Sequence, residues 1–162
     1  MGEATGETEV PALDRSELLL DLHPLVRRAL VARYGVDVGR DAAAEAVAWG
    51  WEHVDRLATM ANPAGYLYRV GQSAARKLAR QRRAGFVFPT EPVWSDAPDL
   101  SEDIFEALRR LRREQRVVVL LVHGYGLRYR DAADLLGISE ASVRNHVHRG
   151  LRKLRSILET DS

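Results

Sequence analysis

"YRDAADLLGISEASVRNHVHRGLRKLR", residues 129–155, reads as two helices joined at Gly137. Ala133 is small where two helices must approach closely. Gly137 stands where the turn needs a left-handed backbone, and Ser139 can cap the helix that follows. Val143, Val147, Leu151, Leu154 and Leu158 then recur at spacings of 4, 4, 3 and 4, which predicts an inward stripe. The other face carries Arg144, Asn145, His146, His148 and Arg149. In a DNA major groove, Arg pairs bidentately with guanine and Asn with adenine, while further bases reach phosphates. The stretch therefore predicts a helix-turn-helix. A helical hairpin with a solvated polar face is the plainer alternative, and the small residue, glycine, cap and stripe together weigh against it.

Upstream lies "SEDIFEALRRLRREQRVVVLLVHGYG", residues 101–126. Ser101 suits an N-cap and the acids after it suit a first helical turn, where the helix dipole favours negative charge. "VVVLLVHGYG" could instead be a buried strand running into a phosphate-cradling glycine loop. No turn signal separates it from the amphipathic stretch before it. Tyr129 stands where a third glycine would be needed, and no other strand candidate exists to pair with it. We read it as helix, with Gly124 and Gly126 as helix-ending residues.

The front half is helical as well. From Asp14 apolar residues recur at helical spacing (Leu18, Leu22, Leu25, Val26, Ala29, Leu30) and stop at Gly35. "GRDAAAEAVAWGWEHVDRLATM", residues 39–60, predicts a second helix that tolerates one glycine. "ANPAGYLYRVGQSAARKLARQRR", residues 61–83, restarts a helix at Pro63, a residue suited to the first helical position. Leu67, Val70, Ala74 and Leu78 form its expected inward stripe. Residues 1–13 read as a disordered tail and 84–100, with three prolines, as an extended linker. The expected fold is all-α: two small helical domains, 14–83 and 101–162, joined by that linker.

Composition narrows the function classes. The chain has 162 residues and no cysteine, so disulfides and thiolate metal sites are excluded. Its longest apolar run, residues 117–122, is too short to span a bilayer, and the acidic N-terminal stretch lacks a signal-peptide pattern, so a cytoplasmic protein without membrane insertion is expected. The net charge of +1 hides a strong segregation. Residues 61–83 hold six bases and no acid, 84–107 six acids and no base, and 108–162 twelve bases and six acids. Two basic blocks separated by an acidic one suggest two contacts with a polyanion, against the plainer reading of two solvated helix faces. His146 and His148 lie two apart on a helix and make a poor chelate. No nucleophile triad, phosphate loop or paired-carboxylate motif stands out, so neither catalysis, nor a metal, nor a cofactor is expected.

Residues 106–154, "EALRRLRREQRVVVLLVHGYGLRYRDAADLLGISEASVRNHVHRGLRKL", resemble region 4 of bacterial sigma factors, which reads the −35 promoter element. "NPAGYLYRVGQSAARKLARQRR" resembles the same family's region 2.3–2.4, which recognises and opens the −10 element. Two helical domains and a linker with no domain between them resemble the extracytoplasmic-function type. The resemblance implies a transcription initiation factor whose partners are core RNA polymerase, promoter DNA and an anti-sigma factor. It places Ser142, Arg144, Asn145, His146, His148 and Arg149 at the −35 element. At the −10 element it places Met60, Asn62, Tyr66, Arg69, Gln72, Ser73, Arg76, Lys77 and Arg80, with Met60 and Asn62 in the loop that holds a flipped base.

Elementary chemistry fits the second set. Unstacking a base costs on the order of a few kcal/mol, which stacking and phosphate contacts from aromatic, amide and basic side chains can offset. One of Tyr66 and Tyr68 is expected to be packing, since helical neighbours point about 100° apart. The resemblance further puts polymerase binding on the helix around Asp41, Ala44, Glu45 and Trp49. Trp49 and Trp51 lie on opposite sides of that helix, so one is expected in the core and the other exposed. Three positions depart from the family: Ala44 replaces a usual Gln, Ser73 a common Asn, and Arg112–Arg113 a usual Pro. A sigma-like DNA-binding regulator that has lost polymerase binding is the alternative that Ala44 motivates.

Overall fold

The computed structural model describes residues 15–82 and 101–161, so the expectations for the tail and the linker lie outside it. Helix α1 (Arg15–Tyr34) ends where Gly35 takes φ 87°, and α2 (Val36–Glu52) begins at the next residue, three positions before the expected start. Gly39 sits inside α2 because the helices nearly touch there: a Cβ would lie 2.5 Å from the Val31 Cα. The predicted second helix is two, broken at His53. His53 leaves helical geometry at φ −124° and ψ 27°, its backbone N–H and its Nδ1–H both donating to the Trp49 carbonyl, at 3.1 and 2.8 Å, and α3 (Val54–Ala58) follows. Helix α4 (Pro63–Arg82) then packs on α1 and α2. Val26, Ala29 and Leu30 of α1, Ala42, Ala43 and Ala46 of α2 and Leu67 and Ala75 of α4 are fully buried between them.

The rear half opens with α5 (Glu102–Arg109) and α6 (Arg113–Val119). Arg113 holds the first position of α6, where proline is favoured because that N–H needs no helical partner. Any residue that adopts helical φ serves there, which is why arginine stands in without disrupting the helix start. Leu120–Gly124 continue α6 as one π-helical turn, in which the Tyr125 N–H donates to the Leu120 carbonyl at 2.9 Å. "VVVLLVHGYG" is thus helical to Gly124, and no strand occurs among the described residues.

Helices α7 (Tyr129–Leu136) and α8 (Glu140–Thr160) complete the fold. Gly137 between them is left-handed, φ 67° and ψ 35°. The Ser139 Oγ accepts the Ser142 N–H at 3.1 Å, as its N-cap reading requires. The predicted stripe of α8 is corrected at two positions. Val143, Val147 and Leu154 are buried, but Leu151 is 38% exposed, and at the far end Ile157 is buried while the expected Leu158 is half-buried. Gly150 faces inward instead, so close to α6 that a Cβ would lie 2.7 Å from Val119 Cγ2. A leucine pointing about 100° from that contact line is left in solvent.

Two helical regions are therefore present, yet they pack together. Their buried side chains form one contiguous cluster, and α1 and α4 touch α6 and α7 across the seam. The Arg116 Nε–H donates to the Ala32 carbonyl at 2.9 Å in a buried contact between the halves. Burial, with the neighbouring Arg113 guanidinium adding to it, pushes Arg116 down to about 10, which leaves it charged at neutral pH.

Candidate nucleic-acid interfaces

On α8 the polar face is built by its neighbours in sequence. Arg144, Asn145, His148 and Arg149 are exposed, while Ser142 and His146 are half-buried. Arg144 is steadied from two sides. Its guanidinium pairs with Glu140 one turn back at 2.7 Å and lies 5.0 Å from the Tyr129 ring centre. Such an exposed pair is worth only about 0.3–0.5 kcal/mol, little enough for a guanine edge or a phosphate to displace. Arg152 donates to His148 Nε2 at 2.8 Å, extending the basic face one turn further. His146 points away from this face into a cleft of about 90 Å³ between the two halves.

On α4, Arg69, Ser73, Arg76, Lys77 and Arg80 are all exposed. Their spacings of 4, 3, 1 and 3 put them on one stripe, opposite the buried Leu67, Ala74 and Ala75. Tyr68 is the packing tyrosine, 1% exposed, and burial pushes its hydroxyl up to about 12. Tyr66 is half-buried in a ring column: Trp49 lies 5.1 Å from it and stacks on His53 at 4.1 Å. Arg69 and Arg56 both stand near the Tyr66 ring, at 5.9 and 5.6 Å. Sequence reasoning missed Arg56. Its position in α3, four residues before Met60, was the available signal. Met60 is half-buried and Asn62 exposed at the start of α4. Gln72 is half-buried and donates to the Tyr68 hydroxyl at 3.4 Å, on the wall of the cleft that also holds His146.

The third predicted surface is the outer side of α2. Asp41, Ala44, Glu45 and Ala48 are exposed, with Asp41 ion-paired to Arg82 at the end of α4. Of the two tryptophans, Trp49 is the packed one and Trp51 the exposed one, at 51%. The outer face of α2 is therefore flat at its two alanines, flanked by acids and ended by an indole. Among the described residues no group of three His, Cys, Asp or Glu could hold a metal, and no helix is long and apolar enough to cross a membrane.

Residues 101–154 match the family model for sigma-70, region 4. Across 92% of this chain and 99% of the other, the fold matches the sigma factor RpoE of Bartonella quintana, solved in complex with the anti-sigma factor NepR, at a TM-score of 0.67 and 23% identity. CnrH, solved in complex with the cytosolic domain of CnrY, matches over 91% of this chain and 89% of its own at a TM-score of 0.57 and 20% identity. Over 94 residues the chain is 35% identical to a phosphonates import ATP-binding protein, PhnC 2, of Trichodesmium erythraeum. That match takes in 57% of this chain and spans about a third of the relative's length, 33%. A strand leading into a glycine-rich nucleotide loop has no counterpart among the described residues.

Proposed function

From a sigma-70 region 4 unit at residues 101–154 and a whole-chain fold of the extracytoplasmic-function sigma type, we propose that this protein initiates transcription as a sigma factor. It binds core RNA polymerase and carries it to promoters. Helix α8 enters the major groove of the −35 element, where Arg144 and Asn145 read base edges and His148 and Arg149 hold phosphates. The stripe from Arg69 to Arg80 tracks the backbone of the −10 element. Tyr66, Met60 and Asn62 hold a base once it leaves the stack. The role is one of binding rather than catalysis, exercised in the cytoplasm, where polymerase and promoter DNA meet.

The observation that carries this reading is the pair of exposed basic stripes, one on α4 and one on α8, on two helical units of a single chain. A repressor-type helix-turn-helix needs only the second. Polymerase docks on the outer face of α2, with Asp41, Ala44 and Glu45 along it and Trp51, in place of the expected but packed Trp49, as its apolar anchor. The similarity to RpoE of Bartonella quintana, solved with an anti-sigma factor, supports a protein inhibitor of that kind as a further partner. Pull-down with purified core polymerase, followed by run-off transcription, tests the proposal. Core-dependent transcripts are expected.

Ala44 supports a second reading, a sigma-like DNA-binding regulator without productive polymerase binding, because the exposed site offers a methyl where the family has an amide. DNA binding with neither core association nor transcript would establish it and sink the first.

A further inference from the structure

Arg144 is held by two groups of different kinds, one on each helix of the turn. Glu140 opens α8 and accepts an Nη2–H of the guanidinium at 2.7 Å. Tyr129 opens α7 and presents its ring, with the guanidinium carbon 5.0 Å from the ring centre. The two holds differ in what they consume. A carboxylate occupies an N–H donor, whereas a ring attracts the cation through its π face and leaves every donor free. A guanine edge needs two of those donors in one plane. The ring can therefore keep its hold while a base is read, and the carboxylate's hold is the one to be exchanged.

Burial supports the same division. Tyr129 is half-buried and packed against the core, which makes its ring the fixed member. The Arg144 side chain is 63% exposed and that of Glu140 45%, so both can move. Left-handed Gly137 and the Ser139 cap fix how α8 leaves α7, and with it the approach of ring to guanidinium. An arginine is rich in rotamers, and freezing them opposes any contact it makes. A guanidinium already laid on a ring has less freedom to lose.

We propose that Tyr129 is a positioning residue that holds the Arg144 guanidinium ready for a guanine edge, and that Glu140 is a placeholder anion that keeps Arg144 from settling on phosphate. Arg144 leaves Glu140 only for a partner that returns more than the ion pair and tolerates a bared carboxylate beside it. A bidentate guanine does so, while a phosphate, itself an anion, meets repulsion from Glu140. The inference rests on α8 entering a major groove, as the functional reading above has it. It holds equally for a sigma factor and for a regulator without polymerase.

The test uses the full chain, the duplex that the native protein selects from a randomised pool, and a scrambled duplex. The base pair that Arg144→Ala no longer distinguishes marks where Arg144 reads. Tyr129→Leu keeps apolar bulk and removes the ring. It should lower discrimination at that pair alone by roughly two- to fivefold, the range of an exposed cation–π contact. Tyr129→Phe keeps the ring and should restore discrimination. Added to Arg144→Ala, Tyr129→Leu should change nothing further. Glu140→Gln should tighten binding to the scrambled duplex by about twofold, the worth of one exposed ion pair.

A loss in Tyr129→Leu that persists without Arg144, or that Tyr129→Phe reproduces, overturns the positioning, because packing or the hydroxyl would then act alone. Unchanged scrambled affinity in Glu140→Gln overturns the placeholder. Tyr129→Leu could fail to fold, so the native free chain supplies a second measurement. Its Arg144 side-chain protons should be shifted upfield by the ring in NMR spectra, and unshifted protons overturn the positioning whatever the variant does. A native chain that selects no duplex overturns the major-groove reading and this inference with it. Selection without the expected coupling between positions 129 and 144 overturns the inference alone.

Discussion

On α8 the side chains proposed to read DNA stand on a helix whose start, turn and seating are fixed by near neighbours: Gly137, the Ser139 cap and a buried stripe. On α4 and the loop before it, the corresponding side chains depend on residues far away in sequence. Tyr66 leans on Trp49 and Asn62 on a carbonyl of α7, while Gln72 bonds the buried Tyr68 one turn back and lines the cleft against the rear half. The first face is complete within its own segment and largely open. The second is assembled by tertiary contacts and partly closed by them. Two groups of similar chemistry are therefore under different control, one by helix geometry and the other by how the halves meet.

The largest test of this contrast is packing. Leu67→Ala in α4 and Val143→Ala in α8 both truncate fully buried side chains and should each cost about 2–4 kcal/mol. Because the buried residues form one cluster, both variants should still melt in one transition by calorimetry. Two separate transitions would mean that the halves are independent. Next in size is base reading. Arg144→Ala or Asn145→Ala should lower discrimination between the preferred and a scrambled duplex by roughly 1–3 kcal/mol in titrations. Equal loss on both duplexes would reassign these residues to phosphates.

A smaller effect is expected from Arg80→Ala, which should weaken promoter binding almost uniformly and reduce the salt slope by about one unit. An unchanged slope would make the α4 stripe a solvated face and remove one side of the comparison. The smallest effect concerns Tyr68 alone. Burial raises its pKa above the ordinary tyrosine value, so the neutral hydroxyl contributes stability in full below about pH 10. That contribution is lost as pH rises through about 12. Ultraviolet titration should find a late tyrosine near pH 12 that Tyr68→Phe removes, whereas its absence would place Tyr68 in solvent and open the cleft.

Reading from the residues alone succeeded where structure is local. Gly35 and Gly137 end helices with positive φ, Ser139 caps α8, and one of Tyr66 and Tyr68 is the packing residue, the structure making it Tyr68. The helix-turn-helix and the α4 stripe were legible because period and cap both lie within a few residues. Failures fell where a distant partner decides. Leu151 fits the period of α8 as well as any neighbour, but the close approach of Gly150 to Val119 rotates the inward face past it. His53 gives no local warning that the helix will break at its own backbone, φ −124° and ψ 27°. Neither hydrogen bond across the seam has a signature, since each pairs one side chain with a backbone oxygen seventy or more residues away.

The contact at Gly150 also makes α8 a lever. The helix meets α6 most closely at that residue, and its reading end, seated by Val143 and Val147, lies two turns toward its start. Arg144 lies six residues from the fulcrum, about 9 Å along the axis at 1.5 Å per residue. A tilt of only about 10° at that contact therefore carries its root sideways by about 1.6 Å, enough to break a hydrogen bond that tolerates a few tenths of an ångström. A side chain at position 150 would act on the reading end without touching DNA, as a wedge under the short arm of a beam.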